Sequence, residues 1–385
     1  MSDGGYCQNL TTRSPARHLV VGCSSAACPR LPGMNFFDRN KMRILAGALA
    51  IGAVALAGCG SSSANSSGSG KVTLVVYSAQ GYDHAMVTAF QKATGIPVKL
   101  DDNSTGPLLT QIEASKNNPN WGLLWVDGTT AFAGLDTQGL LQKGFEPNVK
   151  WNSLGTQSLP SDKSWTPTGV TLMAALVYNK TKLTDPPTTW QDLLSPKWKG
   201  AVGMNDPSQS GPTFPFIAGM MNYLGGVSQG ESYFSKLKQN GLVIHPTNGP
   251  TLQALTSGQI KLALVQSSAG IGAGFGPGSD PNLTVKYLNP VTLLPSAIGI
   301  DAKASAQERK EAEEFIKFVL SPAGQKVMQS GDPYGDSLYY PVLQGVSPKP
   351  ELPSLASVKT QSINPYTWGP KEATINTWFD ANIVR

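Results

Sequence analysis

The sequence predicts an α/β fold in two domains, on three observations. Short apolar runs alternate with helix-periodic segments from Val72 onward. The chain after residue 70 is too long for a single compact core of ordinary size. Strand ends are repeatedly followed by Ser, Thr, Asn, Gly and Pro in the order that opens a helix.

The N-terminal 59 residues read as processing signal. Arg39, Lys41 and Arg43 precede an apolar run from Ile44 to Leu56 that is too short to span a bilayer, and the run ends in Leu56-Ala57-Gly58-Cys59. This pattern resembles bacterial lipoprotein signals, which makes Cys59 the expected lipidation site; an uncleaved hydrophobic anchor is the alternative. Residues 1–33 are read as upstream sequence from a misassigned start. Residues 60–71, rich in Gly and Ser, form a flexible tether.

This division changes the meaning of charge and cysteine content. Of the whole-chain charge of +5, Arg13, Arg17, Arg30, Arg39, Lys41 and Arg43 against Asp3 and Asp38 place +4 in residues 1–59, leaving +1 for the rest. A basic nucleic-acid surface is not indicated. All four cysteines (Cys7, Cys23, Cys28, Cys59) also fall in that stretch, so disulfide and thiolate chemistry is excluded from the remainder.

From there the elements follow in order. Residues 72–78 are a buried strand, and residues 83–94 carry Met86, Ala89, Phe90 and Ala93 on one helical face before Gly95. Residues 96–100 form a second strand, the helix of Leu108, Leu109 and Ile112 follows, and residues 122–126 form a third strand. Residues 172–179, 261–265 and 294–300 read as further strands. Residues 215–224, 252–256 and 307–320 read as helices. Strands alternating with helices imply parallel βαβ units.

Three helix starts share one composition: Ser104-Thr105-Gly106-Pro107, Ser208-Gln209-Ser210-Gly211-Pro212 and Thr247-Asn248-Gly249-Pro250. A fourth turn, Gln266-Ser267-Ser268-Ala269-Gly270, leaves a strand in the same manner. Ordinary capping explains one such site. At the carboxyl edge of a parallel sheet, several together would converge their hydroxyls and free amides on one oxyanion. Asp127 ends the third strand, either as a helix cap or as the carboxylate that receives a ligand ammonium. Ser78, Gln80 and Tyr82, in the turn after the first strand, join the candidate set. His84 and His245 stand in no metal motif, and no nucleophile elbow, P-loop or dinucleotide fingerprint occurs, so no catalytic, metal or cofactor site is expected.

Residues 72–100, the run "STGPLLTQIEASKNNPNWGLLWVDG", and the later segments "PPTTWQDLLSPKWKGAVGMNDPSQSG", "TLQALTSGQIKLAL", "EAEEFIKFVLSPAGQKVM" and "YYPV" together resemble the ferric-iron-binding and aminoethylphosphonate-binding group of periplasmic ABC-transporter solute-binding proteins. The resemblance implies a two-lobed, type II-like periplasmic-binding-protein fold with hinge strands and an interlobe ligand cleft. Its implied division is 72–169 for the first part of lobe 1, 170–295 for lobe 2, 296–338 for the return to lobe 1, and 339–385 for a C-terminal segment on lobe 2. Against the iron-binding pattern, the histidine position corresponds to Gly81, the carboxylate to Asp127 and the tyrosine pair to Ser268-Ala269. Ser210-Gly211, Asn248 and Gln266 match the anion half.

The expectation is therefore a non-enzymatic, monomeric, lipid-anchored binding protein on the extracytoplasmic face, delivering a phosphorus oxyanion compound such as 2-aminoethylphosphonate to an ABC permease. Its ligand set would be Ser78, Gln80, Tyr82, Ser104, Thr105, Gly106, Asp127, Ser210, Gly211, Asn248, Gln266, Ser267 and Ser268. Ferric iron, a sugar phosphate, and thiamine or a polyamine are the alternative cargoes, and a secreted serine hydrolase is the alternative class.

Overall fold

The computed structural model describes residues 71–275, 278–332 and 336–385; Cys59 and residues 60–70 lie outside this range. In chain order the elements are β1 (Leu74–Ser78), α1 (Asp83–Thr94), β2 (Val98–Asp102), α2 (Thr105–Ser115), β3 (Leu123–Asp127), α3 (Thr129–Thr137), α4 (Ser153–Ser158) and β4 (Thr166–Asn179). Then come β5 (Val202–Asn205), α5 (Thr213–Leu224), α6 (Val227–Gln239), β6 (Val243–His245), α7 (Asn248–Thr256), β7 (Leu262–Val265), α8 (Ser267–Phe275) and β8 (Leu283–Ile300). The chain closes with α9 (Ala306–Val319), α10 (Pro322–Ser330), β9 (Thr360–Gln361), α11 (Pro365–Trp368) and α12 (Glu372–Phe379). No helix among the described residues is long and apolar enough to cross a membrane.

The strands run in the order β2-β1-β3-β8-β4-β7-β5-β6, with β9 on β8. β1 pairs in parallel with β2 and β3, and β5 in parallel with β6 and β7. These are the βαβ units that the alternating pattern implies. Between them lie β4 and β8, which pair antiparallel along their lengths with register shifts at Pro167/Gly169 and Met173/Ala175. The far half of β8 pairs with β3, while the near end of β4's second half pairs with β7. Two strands thus run through both lobes and carry the chain from one to the other.

Both strands begin earlier than their apolar runs suggest. Polar and proline residues, including Thr166, Pro167 and Thr168 on β4 and Asn289 and Pro290 on β8, interrupt the hydrophobic pattern. Their mutual pairing satisfies the backbone where the pattern alone would not extend a strand.

Each lobe has its own core. In the first, Leu74, Val76, Leu123, Trp125, Ile298 and Ile300 of the sheet meet Phe90 of α1 and Phe315 of α9, whose rings stand edge to face at 5.0 Å. Gly95 ends α1 in the left-handed conformation at φ 65°, its N–H closing on Gln91 O at 2.8 Å. In the second, Leu176, Met204, Leu262 and Leu264 meet Phe216 and Phe234. After residue 338 the chain touches both cores: Tyr339, Val342 and Leu352 join the first, and Trp368, Ile375 and Phe379 the second.

Candidate functional site

The carboxyl ends of β1, β2 and β3 face those of β5, β6 and β7 across a cleft of about 440 Å³, within the range of small-ligand sites. Its lining includes Gln80, Asp83, His84, Asp102, Ser104, Thr105, Asp127, Ser210, Gly211, Thr247, Asn248, Gln266 and Asp336. Eight of the thirteen residues expected from the sequence are therefore here: Gln80, Ser104, Thr105, Asp127, Ser210, Gly211, Asn248 and Gln266. Lysine and arginine are absent from the lining among the described residues.

Five expected residues sit elsewhere. Ser78 is buried behind the turn, its Oγ accepting from Gln80 N at 3.2 Å. Tyr82 is core, edge to face with Trp125 at 5.2 Å and with Tyr339 at 5.6 Å. Ser267 is spent on β4, where its Oγ meets Thr171 Oγ1 at 2.7 Å and accepts Leu172 N at 3.1 Å. Ser268 is buried, accepting from Gln266 Nε2 and donating to Asp336 Oδ1 at 2.7 Å. Gly106 serves the approach of the lobes. A Cβ there would lie 1.8 Å from Ser208 O, and its N–H reaches Gln209 O at 3.4 Å.

At the helix starts around the cleft, side-chain capping is missing. Ser104 precedes α2 and Thr247 precedes α7, both extended as caps are, yet neither side chain makes a cap hydrogen bond; α5 begins after Pro212, which has none to make. Away from the cleft, Asn152, Ser305, Ser321 and Asn364 cap α4, α9, α10 and α11 in the ordinary way. Ser104 and Thr247 thus differ from these four in making no side-chain cap.

A buried residue that the sequence pattern does not single out organises the second-lobe donors. Asn205, at the end of β5, gives Nδ2 to Ser210 Oγ at 3.2 Å and to Asn248 Oδ1 at 2.7 Å, while its Oδ1 accepts from Thr251 at 2.6 Å. With those acceptors occupied, the Ser210 hydroxyl proton and Asn248 Nδ2 are left to donate into the cleft.

The opposite character gathers at the end of β3. Asp127, only 5% exposed, accepts Gln80 Nε2 at 3.1 Å on Oδ1, and Gln266 Nε2 at 3.0 Å and Tyr339 OH at 2.7 Å on Oδ2. Burial pushes its carboxyl above the usual range, against these hydrogen bonds. Three donors from three segments, Gln80, Gln266 and Tyr339, already hold it. Asp336, missed by the sequence reading because nothing near it is periodic, lines the same cleft, and burial raises it to about 6. Asp83 at the start of α1 is raised to about 6 for the same reason. Among the described residues, Gln80 Oε1 and Asp83 Oδ2 are buried acceptors with no hydrogen-bond partner. A cleft with uncapped helix starts, four carboxylates and buried free acceptors is suited to a ligand carrying both an oxyanion and a cationic donor.

Comparisons with known proteins agree with this architecture. Residues 85–360 match the family described as bacterial extracellular solute-binding protein. An Fe(3+)-binding periplasmic protein of Serratia marcescens is 26% identical over 311 residues, covering 76% of this chain and 85% of that one. A periplasmic protein of Salmonella paratyphi A, provisionally named for 2-aminoethylphosphonate binding, is 22% identical over 306 residues, covering 77% and 84%. Among solved structures, AfuA of Actinobacillus pleuropneumoniae with fructose-6-phosphate bound superposes with a TM-score of 0.70 at 18% identity, covering 81% of this chain and 98% of that one.

Proposed function

The chain belongs to the bacterial extracellular solute-binding proteins, and on that premise we propose that its cargo is a zwitterionic aminoalkylphosphonate, with 2-aminoethylphosphonate as the lead compound, delivered to an ABC permease from a lipid anchor at Cys59. The observation that carries this reading is the pair of uncapped helix starts at Ser104 and Thr247, set in a cleft whose charged groups are otherwise acidic. In this reading the phosphonate lies against Ser104, Thr105, Ser210, Gly211 and Asn248, where N–H and hydroxyl donors favour an oxyanion. The ammonium goes to Asp336 and Gln80 Oε1 rather than to Asp127, whose oxygens are already taken.

Ferric iron suits this chain poorly. Gly81, at the position the family resemblance assigns to a histidine ligand, is packed so that a Cβ would lie 2.7 Å from Asp336 Cβ, and Ser268-Ala269 offers no phenolate. A second reading, a cationic solute such as thiamine or a polyamine, is supported by the carboxylates of the lining.

A thermal-shift panel of the purified chain with 2-aminoethylphosphonate, methylphosphonate, a sugar phosphate, thiamine, spermidine and ferric citrate separates these. A cargo at a hundredfold excess over its Kd adds about 2.7 kcal/mol of stability, a shift of roughly several degrees. A shift with thiamine or spermidine and none with the phosphonates would replace the proposed cargo by the cationic one.

A further inference from the structure

Asp83 and His84 open α1, and Asp102 closes the neighbouring strand β2; all three line the cleft. One donor atom from each lies within 4.8 Å of the other two. His84 Nε2 and Asp102 Oδ2 are 3.2 Å apart on side chains that remain largely exposed and free to turn. Asp83 differs: the residue is 1% exposed, its carboxyl takes hydrogen bonds from the Ser78 side chain and the His84 backbone, and its Oδ2 has no partner among the described residues. A buried carboxylate oxygen without a donor is a costly arrangement that a cation would relieve.

We propose that Asp83, His84 and Asp102 form a site for a divalent transition-metal cation of the Zn²⁺ or Mn²⁺ type at the first-lobe wall of the cleft. One imidazole and two carboxylates suit borderline divalent ions, and three protein ligands leave coordination positions open toward the cleft. With metal–ligand bonds of about 2.0–2.2 Å, neighbouring ligand atoms stand roughly 3.0–3.6 Å apart; His84 and Asp102 already do, and turning these two exposed side chains by roughly an ångström or more toward Asp83 completes the set. The N-terminal dipole of α1 opposes a cation there, but two carboxylates on one ion outweigh a single helix end. The ion would place positive charge in a cleft lined, among the described residues, by neither lysine nor arginine. The site stands on its own geometry and does not require the cargo proposed above.

The test is competition for Zn²⁺, and separately Mn²⁺, between a chromophoric chelator and the full, tag-free chain stripped of metal, with no organic solute present. One equivalent should bind to the parent protein, and the affinity should fall at least tenfold in both His84→Ala and Asp102→Asn. Of the three histidines His18, His84 and His245, only the His84 ring resonances should shift on adding Zn²⁺, a readout that needs no variant. Absence of binding by the parent, an affinity in either variant equal to the parent's, or a shift at His245 or His18 without one at His84 would overturn the proposal. Because no phosphonate enters the experiment, its failure would leave the cargo assignment standing, and the converse also holds.

Discussion

At residue scale, two carboxylates of the cleft are held differently. Asp127 is held by Gln80, Gln266 and Tyr339, so Asp127→Asn should loosen both glutamines and weaken amino and alkyl phosphonates alike. Asp336→Asn should instead remove one charge-assisted contact, about 1.5–3 kcal/mol or roughly ten- to a hundredfold in Kd, from 2-aminoethylphosphonate only. Titration calorimetry of the two variants with both ligand types checks this, and an Asp127→Asn loss confined to the amino compound would restore the ammonium to that residue. Asn205→Ala should release Ser210 and Asn248 together, destabilising the fold by about 1–3 kcal/mol while weakening every oxyanion ligand; thermal melts and calorimetry on one preparation read both. The carboxylate Asp127 and the hydroxyls were legible because strand ends and helix starts are local patterns. Asp336 and Asn205 were not, since one lies in irregular chain and the other ends a four-residue strand, and only the fold brings them to the cleft.

At the scale of elements, the helix starts explain which parts of the sequence could be read. Proline, glycine and hydroxyl residues locate α2, α5 and α7 well, but composition cannot distinguish a used cap from an unused one; that depends on where Ser104 and Thr247 point once the sheet has formed. The same composition hides the function of Gly106, which is contact between α2 and the Ser208–Gln209 loop of the other lobe. Gly106→Ala adds helix propensity yet collides with the Ser208 backbone O, so α2 and that loop must move apart. Cargo affinity should fall at least about tenfold and the melting temperature should not rise, as calorimetry and melts would show together. At the start of α12, burial raises the carboxyl of Glu372 to about 7, against a hydrogen bond from Thr130 of α3. The folded pKa lies above the unfolded one, so this group's contribution is full below about pH 4 and is lost as pH rises through 7. Glu372→Gln should therefore lose less stability than the parent between pH 5 and pH 8, by on the order of 1 kcal/mol, in denaturant titrations at the two values.

Across the whole molecule, β4 and β8 let two cores face one cleft while remaining one covalent path. The alternating pattern made the α/β class and the parallel units readable. The length of these two strands was not readable, because their pairing is with each other over a long sequence separation and overrides proline and polar residues. In this layout α2 and the 206–212 loop meet across the cleft through Gly106 and Gly211, where a Cβ on Gly211 would lie 2.4 Å from Thr105 Oγ1. A ligand that bridges donors on α2 and α7 with acceptors at β1 and Asp336 would hold that contact shut. The most direct measurement is titration calorimetry of the parent chain with 2-aminoethylphosphonate beside ethylphosphonate, its counterpart without the amino group. Both should bind saturably, with the amino compound tighter by about tenfold or more. Equal affinity, or binding of neither, would contradict the proposed cargo.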